Sequence, residues 1–360
     1  MTSHPSMPVW SWLAPATGVA VAVAVLTLGM GSVMSVLATI ALIATVFAAV
    51  FHAELVAHRV GEPFGTLVLA VAVTVIEVAL IVSTMLAAPE AKAGVARDTV
   101  FAAVMIVCNG IVGLGLLAGG MRHHEQGFQL KGASAALAVL AALTVLTMVV
   151  PNVTTSLPGP RFTALQLAFA GSVSLVLYGT FVFVQTIRHR DYFLPETVAD
   201  EDAHASPPTA RQATFSLVWL VVALVVVVGL AKLLTPTIEA ALNGAGAPKN
   251  VIGIAIAALV LLPEGIAALR AARANRLQTC LNLALGSALA SIGLTIPAVA
   301  MISIAFDLPV DLGLTDKDEV LLGLTLLLGV ITLGTGRTTV LQGVVHLVVF
   351  ASFIFFAFSP

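Results

Sequence analysis

Eleven apolar stretches leave this chain little to fold into except a bundle of membrane-spanning helices. They lie near residues 13–30, 33–57, 64–87, 98–120, 133–151, 162–187, 214–234, 250–271, 277–305, 319–335 and 339–358. Each is close to or above the roughly 20 apolar residues that a helix needs to cross a bilayer. Only 9% of the 360 residues are charged, against about 25% in soluble domains, so no sizeable water-soluble domain fits between the spans. The expected fold is all-α and polytopic. The first stretch has no basic run before it and no small-residue cleavage site after it, and reads as a retained span rather than a signal peptide.

Composition also excludes several function classes. A net charge of −2 without a basic patch argues against nucleic acid as a partner. No nucleophile motif, phosphate-cradling glycine loop or zinc signature is present, so neither enzymatic activity nor a cofactor is expected. Cys108 and Cys280 both fall in apolar segments and imply no disulfide framework. The partners expected are the lipid bilayer and small ions, and nothing in the sequence sets an oligomeric state.

The loops orient the chain. Taking the N-terminal side as reference, ten of the sixteen Lys and Arg residues fall on that side, among them Arg59, Arg122, Arg188, Arg270 and Arg337. Six fall on the other side, including Lys92, Arg97, Arg161 and Lys317. Cytoplasmic loops carry the basic excess, which puts the N-terminus in the cytoplasm and the C-terminus outside, in a cell inner membrane. The longest polar stretch, residues 188–212, contains Asp191, Glu196, Asp200, Glu201 and Asp202. The expected organisation is an N-terminal segment with span 1 (1–31), a first repeat of spans 2–6 (32–187), an acidic cytoplasmic linker (188–213) and a second repeat of spans 7–11 (214–360). Five spans per repeat, an odd number, force the two copies into opposite orientation, the plan of many secondary transporters.

Two carboxylates sit where a membrane protein least tolerates them. Glu77 lies in span 3 and Glu264 in span 8, the second helix of each repeat. A charge at bilayer depth costs about 2.5–3.5 kcal/mol on insertion scales, so an intramembrane ion pathway is the default reading. Thr66, Thr74 and Thr84 share a helical face with Glu77. They either line a pathway or bond their own backbone carbonyls. Pro263 precedes Glu264; it denies the Leu259 carbonyl its usual donor and predicts a helix discontinuity over Leu259–Glu264, with that carbonyl offered as a ligand. Asn109 on span 4 and Ser287, Ser291 and Thr295 on span 9 could supply oxygens to a cation or serve as packing surface. His52, Glu54 and His58 cluster at the cytoplasmic end of span 2, where they form a proton entry point, with His52 and Glu54 as its groups, or a metal site, or else an interfacial anchor; their spacing is not HExxH. His346 in span 11 reads as a packed histidine.

At these residues the chain resembles the calcium/cation antiporter superfamily, and more closely the ChaA-type bacterial calcium/proton and sodium(potassium)/proton antiporters. The carrying segments are GEPFGTLVLAVAVTVIEVALIVS (61–83) and LLPEGIAALRAARANRLQTCLNLALGSALASIGLTIPAV (261–299), together with the eleven-span layout. In that superfamily each repeat has a GNxxE-like signature whose glutamate binds the ion. Glu77 and Glu264 match the glutamates, Thr74 and Leu261 stand at the asparagine positions, and Val73 and Val260 replace the glycines. The resemblance implies a secondary antiporter exchanging a cation, Ca²⁺ or else Na⁺ or K⁺, for protons, with Glu77 and Glu264 as the shared cation and proton site. It also matches Glu54 to an acidic position near the end of the second span. Two carboxylates neutralise one divalent ion, which favours Ca²⁺. Ca²⁺ also takes six to eight oxygens, and Leu261 supplies none from its side chain.

Overall fold

A computed structural model of the chain describes residues 7–61, 64–194, 208–244, 248 and 250–359. Eleven helical segments follow one another: α1 Val9–Leu28, α2 Ser32–Val60, α3 Phe64–Ala87, α4 (95–123), α5 Leu130–Val153, α6 Ala164–Arg188, α7 Ala210–Gly244, α8 Val251–Arg273, α9 Leu277–Phe306, α10 Asp316–Leu333 and α11 Val340–Phe358. Among the described residues, ten are long and apolar enough to cross a membrane. The remaining one, α10, opens on Asp316, Lys317, Asp318 and Glu319, an acidic first turn that suits a helix N-terminus. Most of the acidic linker, residues 195–207, lies outside the described residues.

The chain divides into two compact units, and each draws on both halves of the sequence. Residues 1–84 and 199–246 form one of them, with α1, α2, most of α3, and α7. Its helices approach closely through small residues: a Cβ on Gly18 of α1 would stand 2.6 Å from Val226 of α7 and 2.8 Å from the Thr45 hydroxyl of α2. Close backbone approach of this kind is how helices associate where lipid removes the hydrophobic drive between them. The predicted seventh span ends near residue 234, whereas α7 runs on to Gly244 through Pro236.

Residues 85–198 and 247–360 form the other unit, with α4–α6 and α8–α11. α9 is its centre, packed by α4, α5, α6 and α8. Gly293 of α9 seats Tyr178 of α6, Gly253 of α8 lies on the Asp98–Thr99 backbone of α4, and Gly343 of α11 lies on the Leu117 backbone. The loops of this unit gather at its two ends as alternate crossing requires. At one end, Gln126–Gly127 pairs antiparallel with Arg337–Thr338, and the Gln126 amide donates to Ala272 O at 3.0 Å. At the other, Asp311 N donates to Ala93 O and Leu314 N to Met148 O.

Only one of the helix irregularities among the described residues falls at a proline, the π-turn of α5 that runs into Pro151. α8 is one continuous helix through Pro263, so the discontinuity expected over Leu259–Glu264 is absent. The proline removes the donor to Leu259 O, yet the turns on either side keep their own bonds. α3 is also continuous. Instead, α4, α5 and α6 each carry a π-turn, at Ile106–Ile111, Val145–Val149 and Val184–Arg188. Such bulges insert one residue into a helix and re-aim the side chains around it.

Candidate cation site

Glu77 and Glu264 occupy equivalent places: each is the fourteenth residue of its helix, counted from Phe64 and from Val251. Glu77 is 2% exposed. Thr74, one turn earlier on the same face, is buried, and its hydroxyl finds no hydrogen-bond partner among the described residues. Thr84 instead donates to Leu80 O at 2.8 Å, the ordinary habit of a threonine in a membrane helix. The hydroxyl stripe of α3 therefore divides, and only Thr74 keeps an oxygen uncommitted beside the carboxylate; the Thr66 side chain lies outside the described residues.

The second unit brings four of the predicted site elements onto mutually packed helices: Glu264 on α8, Asn109 on α4, and Ser287 and Ser291 on α9. Glu264 is half-buried, follows the buried Pro263, and lies one turn beyond Leu259 and Val260. Ser287 is half-buried, while Ser291 and Thr295 are buried. The bulge of α4 reaches α8 directly: Ile111 Cδ1 lies 3.2 Å from where a Cβ on Gly265 would be, beside Glu264.

Asn109 is fully buried inside that bulge, and its carboxamide is engaged at both ends. Nδ2 donates to Thr325 Oγ1 at 2.8 Å, and Thr325 in turn donates to Leu321 O at 2.8 Å. Oδ1 lies 3.0 Å from His346 Nδ1. A carbonyl oxygen only accepts, so Nδ1 carries the hydrogen; Nε2 lies 2.9 Å from Thr332 Oγ1, whose hydroxyl also reaches Leu328 O at 2.6 Å. The arrangement is a buried chain, Thr325–Asn109–His346–Thr332, linking α4, α10 and α11. The sequence reading found Asn109 and His346 as separate residues. Thr325 and Thr332 escaped it, although their spacing of seven places them on one face of α10.

His52 and Glu54 part company. Two residues apart on a helix, they point to different sides. His52 is fully buried and ties α1, α2 and α7 together: Nε2 donates to Ser11 O at 3.0 Å and Nδ1 accepts from the Ser216 hydroxyl at 3.1 Å. Both ring nitrogens are thereby engaged. Glu54 is exposed. At the loop end of the second unit, Arg161 sits between Asp311 and Glu90. The hydrogen bond to Asp311 and the two neighbouring carboxylates hold its guanidinium above the ordinary arginine range. Among the described residues no group of three or more His, Cys, Asp or Glu side chains could hold a metal ion, so a cation here would be met by few charges and completed by hydroxyl, carbonyl or water oxygens.

Comparison with known proteins fits this layout. Residues 30–187 and again 215–359 match the sodium/calcium exchanger protein family. A protein of Sinorhizobium fredii described as an ionic transporter, y4hA, is 52% identical over 98% of this chain and 97% of its own length. The sodium-potassium/proton antiporter ChaA of Escherichia coli is 34% identical over 92% of this chain and 91% of its own. The structure of YfkE, a Ca²⁺/H⁺ antiporter protein, superimposes with a TM-score of 0.74 at 19% identity, covering 97% of this chain and all of that one, a likeness of fold. With two matches that together span most of its length and a relative above half identity end to end, the chain belongs to the sodium/calcium exchanger family and is a multi-pass membrane cation exchanger.

Proposed function

We propose that this chain is a cation/proton antiporter of the cytoplasmic membrane, exchanging Ca²⁺ for protons with Glu77 and Glu264 as the groups that carry either ion. The observation that carries the reading is Glu77 itself: a carboxyl group 2% exposed at the middle of an apolar helix, with the uncommitted Thr74 hydroxyl one turn away. A carboxyl group so placed is costly unless it binds something. Its counterpart Glu264 holds the same position in α8. The matching of one family to both halves supports two copies of one unit, the plan that gives secondary transporters a site in each repeat.

The exchange follows from competition. A carboxylate that has taken a proton has lost the charge a cation needs, and one that holds a cation has no place for the proton, so the two titrate as one linked system. Alternating access to the two sides then converts a proton gradient into cation movement. Two carboxylates balance one divalent charge, which favours Ca²⁺. A second reading, Na⁺ or K⁺ exchange on the same scaffold, is favoured by two observations: Asn109 commits its oxygen to His346, and Leu261 offers none, so the oxygen set is small for Ca²⁺. The relative from Escherichia coli is described as a sodium-potassium/proton antiporter.

The test is purified protein in vesicles with an internal pH dye, given Ca²⁺, Na⁺ and K⁺ in turn. Proton flux on addition of Ca²⁺ is expected. Flux with Na⁺ or K⁺ alone selects the second reading, and no flux with any of the three overturns antiport.

A further inference from the structure

The π-turn of α4 is clamped between α11 and α8. On one side, Gly110 lies against the Phe350 ring, 3.4 Å from where its Cβ would be, and Gly113 against His346 Cβ at 3.1 Å. On the other, Ile111 rests on Gly265, the residue after Glu264. At the centre, the Asn109 carboxamide is bolted by Thr325 of α10 and His346 of α11. All of these residues belong to one compact unit. A bulge is a soft point in a helix, because its extra residue can shift along the chain. A buried amide whose partners are fixed removes that freedom, since breaking its bonds costs about 1–3 kcal/mol per group left unsatisfied.

We infer that His346 is a positioning residue for Glu264: it holds the Asn109 amide, which fixes the bulge of α4, whose Ile111 sets the place of α8 at Glu264. Asn109 thereby acts through its hydrogen bonds and not as a cation ligand. This rests on the antiport reading for its transport consequence, though not for its geometry.

Three substitutions separate the parts of the ring. His346→Asn places an amide nitrogen where Nδ1 stands and keeps the bond to Asn109. His346→Gln reaches the Nε2 position and keeps Thr332 but drops Asn109. His346→Phe keeps the volume and drops both. In vesicles, the Gln and Phe variants are expected to raise the cation KM roughly tenfold with kcat within about twofold, while the Asn variant stays near wild type. A second readout does not depend on transport. Labelling of buried carboxyls by an apolar carbodiimide, followed by peptide mass spectrometry, should change in rate at Glu264 in the Gln and Phe variants and stay constant at Glu77. Equal behaviour of Asn, Gln and Phe, or unchanged labelling of Glu264 in all three, overturns the inference. If the Phe variant does not fold, the Asn and Gln pair decides alone. A wild type that moves no cation overturns the antiport reading, and the labelling then still decides this one.

Discussion

Glu77→Gln and Glu264→Gln keep the volume and one acceptor oxygen of each side chain but can carry neither the proton nor the charge. Each is expected to cut exchange by roughly a hundredfold or more while leaving membrane expression unchanged, measured as cation-driven proton flux in vesicles. Near-normal flux in either variant ends the shared-carboxylate mechanism. In the wild type the apparent cation KM should fall as pH rises, because protons leave the same groups that the cation needs. Arg161 does not confuse that measurement. Its folded pKa is raised above the ordinary arginine range, so its contribution to stability is fully present below the unfolded value and is lost only as pH rises through the higher folded one. Over about pH 6–9 its charge is constant. Thr74→Val removes a buried hydroxyl of α3 that has no hydrogen-bond partner among the described residues and is expected to raise KM about three- to tenfold without affecting folding, since an unpaired buried oxygen gives the fold nothing. An unchanged KM would show that this oxygen never meets the cation.

At the scale of helices, close approach depends on residues that have no side chain. Gly253 of α8 lies on α4 so tightly that a Cβ would stand 2.8 Å from Asp98 C and Thr99 N. Backbone cannot step aside as a flexible side chain can, so Gly253→Val is expected to cost about 1–3 kcal/mol and to lower the unfolding temperature of the purified protein by several degrees. Gly323→Ala in α10 meets nothing within 4 Å and should be neutral or stabilising by about 0.5–1 kcal/mol, because alanine loses less backbone entropy in a helix. Equal melting of the two variants would refute this packing account. The helices themselves were legible in the sequence, because their period and length are written in apolar residues, and so were Glu77, Glu264 and Asn109, because polarity inside a span stands out. The partners of Asn109 were not, since Thr325 and His346 lie more than 200 residues away in sequence and hydroxyls are common in any membrane helix. Nor were the π-turns of α4 and α6, which no proline announces, whereas Pro263, the loudest local signal for a break, sits in a helix that stays whole.

For the whole molecule the number of crossings decides where its ends lie. Eleven crossings would put the termini on opposite faces of the membrane, and the distribution of all sixteen basic residues, ten to six, predicts a cytoplasmic N-terminal face. α10 is the span on which this turns, because its acidic first turn leaves it the least apolar of the set. If it lay along the surface instead of crossing, both ends would share a face. Cysteines introduced one at a time distinguish these cases, and the chain is suited to the test because its two native thiols, Cys108 and Cys280, are buried. Arg59→Cys, at the exposed end of α2, and Ser359→Cys, at the exposed C-terminal end of α11, report on opposite faces. With a membrane-impermeant maleimide applied to intact cells, Ser359→Cys should label and Arg59→Cys should not, while lysis should expose both. Labelling of neither or of both in intact cells would mean an even number of crossings and a surface-lying α10. Labelling of Arg59→Cys alone would mean that the whole bundle is inverted, and that the larger basic set, with Arg270, Arg273 and Arg276 at the end of α8 and just beyond it, faces outward against the usual charge bias.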